Sequence, residues 1–452
     1  MVTSMKQRQL RSLLVSLSIL ALQACAPTEV GGPVERTTAN AEGVTLKVMW
    51  WGSPSRDART EAVLNLFHTL HPNISFVTEH YANTQGTGTV FKDYWPTMNH
   101  YANNGQLPDI MQHDYAYIEE WKTRGLLRPL DDLTQDGSLD LSDVPTAMVD
   151  GGRVGGDLMG VSLGTNTQGV AIDADAVAAA GLQMPGDDWT WQDFKQLAMQ
   201  LHANLPAKFG AGGSFHGYTP GWKAVTLSTG QWVFSADNKA LGYTDDRPWT
   251  HHWHILRSLI EEGAAPTLAQ EPTGSNVEAM LIVSGAAVMD HLHSNQLVAM
   301  WTAAGASRNF KLLPLPRMPG GISPVYIKPS QYFSIPATSP HAKEATMVID
   351  FFTNSVDANL ILGGERGVPI ATKVLAAVKP TLSKQAAESF NLIERAAAYA
   401  TKLPPNDPPA WTTILTTVFT PKVEKPIIAG TITPKDGVEL FRTEASAILA
   451  AP

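Results

Sequence analysis

From Val44 the chain reads Val-Thr-Leu-Lys-Val-Met-Trp-Trp, a run whose β-branched and aromatic content predicts a strand over 44–51. Gly52-Ser-Pro-Ser55 follows as a turn able to cap a helix, in which Val63, Leu66, Phe67 and Leu70 recur at helical spacing. His71-Pro72 ends that helix, and Ile74-Ser-Phe-Val-Thr78 reads as a second strand. A β-α-β opening implies a parallel sheet with its ligand edge at the C-terminal ends of the strands. The alternation continues with a short strand over 107–114 and a helix over 116–125 that Gly125 stops. Thr190-Trp-Gln-Asp193 starts a capped helix with Phe194, Leu197, Ala198 and Leu201 as its buried face. Ser339-Pro340 reads as an N-cap and first-turn proline leading into Val348, Ile349 and Phe352. Residues 403–409, a proline cluster, form a loop ahead of a helical tail. The class is α/β, and no internal repeat is visible.

The first 25 residues follow a different pattern. Lys6, Arg8 and Arg11 precede an almost wholly apolar run from Leu13 to Leu22, and Leu-Gln-Ala-Cys25 follows it. That run is about half of the roughly 20 residues a bilayer-spanning helix needs, so it reads as a signal peptide over 1–24. Small residues before the chain's only cysteine look like a bacterial lipobox, with Cys25 lipidated. An ordinary signal peptide cleaved near Ala24 or Ala26 is the alternative, and Gln23 is an uncommon lipobox residue. Residues 25–43, rich in Gly, Pro, Thr and Ala, read as a flexible tether. Either way the chain is exported, and a processed chain that uses Cys25 for lipid keeps no thiol for disulfides or catalysis.

Removing 24 of 452 residues leaves 428, too many for one core and natural for two domains. The formal charge of −9 includes the three signal cations, so the processed chain stands near −12, which argues against nucleic acid or an anionic lipid surface as partner. Trp (12) outnumbers Tyr (10), so some indoles are expected to do more than fill core.

An ordered set of landmarks resembles the extracellular sugar-binding proteins of bacterial ABC importers, the family 1 solute-binding lipoproteins that include maltose-binding protein. It runs from Val-Met-Trp-Trp-Gly at 48–52 and Gly-Gln-Leu-Pro-Asp-Ile at 105–110 to Gly-Val-Ser-Leu-Gly-Thr-Asn-Thr-Gln-Gly at 160–169. Trp189 to Phe194, Ser284 to Met289, Phe310 to Pro316 and Gly-Gly-Glu-Arg-Gly-Val-Pro at 363–369 continue it. The resemblance implies a two-lobed clamshell, each lobe a mainly parallel sheet flanked by helices, with several hinge crossings. The lobes are expected at 44–164 with 313–360 and at 165–312 with 361–452. It further implies a monomeric saccharide receptor serving membrane permease subunits, held to the membrane by its lipid, without cofactor, metal or bond chemistry.

A neutral saccharide needs aromatic platforms for its C–H faces and Asp, Asn, Arg or His for its hydroxyls. Trp50 and Trp51 end the first strand, one on each face, and Trp51 adjoins the turn, so it is the candidate. Asp114 and Tyr115 end another strand; the family's cleft aspartate falls on Asp114, which could instead cap the next helix. The resemblance places Asn166 and Thr167 at a lobe crossing, Trp222 as second-lobe platform and His291 where relatives carry a stacking aromatic. A loop Trp such as Trp222 is equally a core anchor. Tyr332, Arg366 and Trp411 complete the set, and Arg366 could simply pair with Glu365.

Three other readings have hooks. Gly160-Val-Ser-Leu-Gly164 fits a serine-hydrolase elbow but lacks the following helix. His251-His-Trp-His254 with His291 and His293 suggests a metal-binding receptor without completing four ligands; an amphipathic helix with a wet His face is simpler. A secreted glycoside hydrolase would need a carboxylate pair on the order of 5–10 Å apart.

Overall fold

Val44–Gly52 (β1) is buried on both faces, and its alternation divides its side chains between two cores. Leu46, Val48 and Trp50 join one apolar cluster, Met49 and Trp51 the other. The computed structural model describes residues 43–82, 90–213, 221–272, 277–405 and 407–451. The signal segment, Cys25 and the tether as far as residue 42 lie outside these. Ser53 caps Pro54–Leu70 (α1), its side chain accepting from the Arg56 amide, with Pro54 at the first turn. The buried face of α1 carries Val63, Leu64 and Phe67, whereas Leu70 is 57 % exposed. The expected face is thus rotated, because Arg56, Asp57 and Thr60 are buried too and draw the helix inward on that side.

Ile74–Ala82 (β2), β1 and Ile110–His113 (β3) pair in parallel, as the opening pattern requires. Val161–Ser162 (β4) lies at the far edge of this sheet. Thr165–Asn166 (β5) leaves it and leads directly into Gln168–Asp173 (β6) of a second sheet. The second sheet also holds Phe209–Ala211 (β7), Ala287–His293 (β8) and Phe310–Pro314 (β9), in the order β9-β6-β8-β7. Lys328–Pro329 (β10) returns antiparallel to β5, and Tyr332–Ser334 (β11) enters the first sheet between β3 and β4.

Each sheet therefore contains one strand running against the rest: β11 in the first, β6 in the second. Both are the strands entered straight from the β5–β10 crossing. A chain that crosses between two sheets meets the next one at its ligand edge and must run back from there. "Mainly parallel" holds for strand direction, yet two of the three ladders of the second sheet are antiparallel.

Helices pack as the periodicity requires. Thr190 and Asp193 form a reciprocal capping box on Trp191–Asn204, whose face Trp191, Phe194, Leu197, Ala198 and Leu201 is buried. The helix after Ser339 starts later than expected, at Ala342–Asn354; the Ser339 hydroxyl donates to Asp109 (2.6 Å) and accepts from the His341 amide (3.2 Å) in the turn before it. Leu362, Ile370, Val374 and Val378 pack in the first sheet's core, on the far side of the boundary expected at 360, while Leu313 and Leu315 pack in the second. Phe441, Ala445 and Leu449 of the C-terminal helix also belong to the second core.

A buried ionic cluster lies beneath the C-terminal end of β1. Arg56 Nε donates to both oxygens of Glu365 (2.8 and 3.1 Å) and its Nη1 to the Trp51 carbonyl (3.0 Å). Arg366 donates to Gln112 Oε1 and to the Thr60 hydroxyl (2.6 Å) and is 1 % exposed. Burial, with Arg56 beside it, lowers the Arg366 pKa to about 9, so the guanidinium stays charged. The backbone here is pressed against β5. Thr165 and Val368 exchange both amide bonds (2.8 and 3.0 Å), and a Cβ on Gly164 would sit 2.5 Å from the Arg366 carbonyl oxygen. Removing Arg366 leaves Gln112 and Thr60 buried without their partner. Arg366→Ala should therefore cost about 3–5 kcal/mol in urea unfolding.

The His251–His254 segment splits inside its helix, with His252 buried at 1 % exposure and His251 and His254 exposed. Neither ring nitrogen of His252 has a hydrogen-bond partner, and burial lowers its pKa to about 3, as it does for His113. A histidine held neutral when folded takes up its proton only on unfolding, so in this window the unfolded chain binds more protons. Stability is full above the unfolded pKa of about 6.5 and falls with pH toward 3, by at most about 1.4 kcal/mol per pH unit for each such ring. Melting temperatures taken from pH 7 to 4 should fall, and His252→Met should flatten that acid limb.

Candidate functional site

The strand directions decide where a site can form. The ends of β1, β3, β7 and β8, together with the starts of β6 and β11, converge on one cavity of about 590 Å³. Trp51 and Gly52 reach it from β1, Asp114 and Tyr115 from just beyond β3, and His291 and His293 from β8. Gln168 and Gln331 come from the reversed strands, and Asn166 and Lys328 from the crossing itself. The floor is thus built where the chain crosses from one sheet to the other.

The walls are aromatic and charged. Tyr117 lies over Trp95 (4.3 Å between centroids) on the first-sheet side; Trp411, packed on Phe234 and Phe419, faces it from the second. The Tyr115 hydroxyl donates to the Pro404 carbonyl, joining the two sides, and burial raises its pKa. Lys223 is locked to Asp407 (2.6 Å) with its ammonium 5.1 Å from the Trp411 ring centroid. Arg56 is held by Glu365. Burial lowers the pKa of His291 to about 3 and holds that of His293 well below the usual imidazole range, so both rings are neutral at physiological pH. Several buried polar atoms at the cavity have no hydrogen-bond partner among the described residues: Asn166 Oδ1, Gln331 Oε1, His291 Nε2 and His293 Nδ1. Desolvated groups of this kind cost free energy until a ligand engages them.

Of the sequence candidates, Trp51, Asp114, Tyr115, Asn166, His291 and Trp411 line the cavity. Trp51 is a wall rather than an open platform: only 9 % exposed, it packs on Tyr94 (4.9 Å) and Trp95 (5.7 Å). Asp114 faces the cavity, and one of its oxygens accepts from the Ala116 amide (2.9 Å) in a turn; it does not cap the next helix, which starts only at Ile118, behind Tyr117. Three candidates are structural instead. Tyr332 is fully buried, its hydroxyl donating to Gly151 O; Thr167 donates to the Tyr326 carbonyl (2.8 Å); and Arg366 sits in the ionic cluster. Among these three the side chain is spent on the fold. The Trp222 side chain lies outside the described residues.

Sequence reasoning missed Gln168, Gln331, Lys328 and the Lys223–Asp407 pair. The first three follow from strand reversal, which periodicity does not reveal. Asp407 sat in the flagged proline loop, but nothing local tied it to Lys223. The elbow serine, Ser162, is buried in β4 and donates to the Gly164 carbonyl (2.6 Å), and the chain runs on into β5 rather than a helix.

The model of the bacterial extracellular solute-binding protein family matches residues 52–358. A family 1 extracellular solute-binding protein from Alicyclobacillus acidocaldarius is 26 % identical, with 90 % of this chain and 99 % of that one covered and a TM-score of 0.63. An ABC substrate-binding protein from Listeria monocytogenes in complex with cycloalternan shares the fold at 15 % identity, covering 91 and 100 %, TM-score 0.77. So does an oligogalacturonide-binding protein from Yersinia enterocolitica in complex with saturated digalacturonic acid, at 20 % identity, covering 90 and 98 %, TM-score 0.76. An uncharacterized lipoprotein from the oleD 5′ region of Streptomyces antibioticus is 23 % identical over 381 residues, 80 % of this chain and 77 % of that one. The chain belongs to the bacterial extracellular solute-binding protein family, and its two-sheet architecture with a cavity at the crossing is that family's fold.

Proposed function

We propose that this chain captures a saccharide in the cavity at the β5–β10 crossing and delivers it to the permease of an ABC importer, without altering it chemically. One observation carries the reading: a 590 Å³ cavity that joins aromatic walls to unpartnered buried amide and imidazole groups, drawn from both sheets. Aromatic faces suit the C–H face of a sugar ring, and such polar groups suit its hydroxyls. The saccharides held by the Listeria and Yersinia relatives support the same class. The ligand-binding set is Trp51, Asp114, Tyr115, Asn166, His291 and Trp411, with Gln168 and Gln331 added at the floor. Binding drives closure because the ligand reaches both walls together only when they approach. Lipidation of Cys25 tethers the chain to the membrane outside the cytoplasm, where the lipoprotein relative supports that anchoring.

Screening mono- and oligosaccharides by thermal shift should find a ligand that adds about 2.7 kcal/mol of stability at about 100 times its Kd, and the ligand should be recovered unchanged. Turnover at enzyme-like rates, on the order of 1 per second or above, would sink the receptor reading. Small-angle scattering should show the radius of gyration fall on saturation with that ligand; an unchanged profile removes closure. Cys25→Ser should move the protein to the soluble fraction or leave an uncleaved precursor. Unaltered membrane association would favour the ordinary signal peptide.

A further inference from the structure

Three cations line the cavity, and two of them are already neutralised: Arg56 by Glu365 and Lys223 by Asp407. Lys328 is the exception. It is 9 % exposed and lies on β10 directly opposite Asn166. Its ammonium donates once, to the neighbouring Pro329 carbonyl (3.2 Å), and among the described residues no carboxylate lies within ion-pair distance. Burial and Lys223 lower its pKa, while Asp114 acts to raise it. An ammonium has three donors, so two remain for whatever fills the floor.

The groups around it have the opposite need. Asn166 Oδ1 and Gln331 Oε1 are buried acceptors that meet no donor among the described residues. A ligand group that only accepts, such as a carboxylate, sulfate or phosphate, would satisfy Lys328 and leave both amide oxygens bare. It would also bring negative charge into a cavity lined by six carboxylates (Asp114, Glu271, Glu278, Asp290, Glu365, Asp407) and three cations, a formal −3 among the described residues. A hydroxyl accepts and donates at once. It therefore answers both halves of the floor.

We infer that Lys328 is a specificity-determining residue that donates to hydroxyl oxygens of an uncharged saccharide, while Asn166 and Gln331 accept from those hydroxyls, so that the site rejects acidic sugars. This rests on the saccharide reading above. Its consequence is discrimination between sugars of like size and ring shape that differ only in a carboxylate.

The test is calorimetry on the processed chain with matched probes: galactobiose against digalacturonate, and maltotriose, cellotriose, mannotriose and xylotriose against glucuronate-bearing aldobiouronate. A neutral probe should bind at least about 30-fold more tightly than the acidic ones, with little dependence on salt. Lys328→Met and Lys328→Gln should each weaken that neutral probe about 10-fold or more while the melting temperature holds or rises, since a buried ammonium without a counter-charge is removed. Tighter binding of an acidic probe, or wild-type affinity in both variants, overturns the role of Lys328 and leaves the saccharide reading standing. Binding of none of these probes removes the saccharide reading itself, and this inference with it.

Discussion

The fold hangs on a cluster of buried charge where the chain passes from one sheet to the other. Arg56, Glu365 and Arg366 are each almost fully buried, and their partners come from β1, α1, β3 and the 363–368 turn. Asn295 adds a bond to the Glu365 carbonyl (3.4 Å), which ties in the segment after β8. A buried ion set contributes little net stability against an apolar replacement, but it tolerates one geometry only. Here that geometry fixes the end of β1 relative to the crossing, and so fixes where the cavity opens.

Much of the first sheet was legible because period-two and period-3.6 patterns, caps and prolines act locally. β1, β2, the Thr190 capping box and the Gly125 stop all depend on residues within a few positions of one another. Failures came where a distant partner overrode a local preference. α1, for one, rotated to bury Arg56 for Glu365, which lies 309 residues away.

The site divides the same way. Trp51, Asp114 and Tyr115 line the cavity because strand ends, visible in sequence, face it, whereas His291, inside its strand, was reached only through the family resemblance. Arg366 and Tyr332 have the right chemistry for sugar, yet each spends its polar group on the scaffold. Residue type alone does not separate a ligand contact from a buried brace. Position adds what type lacks: among the described residues Asn166 and Gln331 combine an unmet hydrogen-bond need with a place on the cavity, whereas His252 has the same need on the buried face of a helix.

The two reversed strands have one more effect. If the crossings act as the pivot, Gln168, Gln331, Asn166 and Lys328 sit close to the axis and barely move as the walls swing. The floor would then be complete in the open receptor, available to the first encounter with ligand, whereas Trp411 and Tyr115 engage only afterwards. Floor residues would govern how often an encounter becomes productive, and wall residues how long the occupied state lasts. Within one binding site, association and residence would thus be set by different parts of the chain, free to vary independently as the receptor adapts to scarce or abundant sugar.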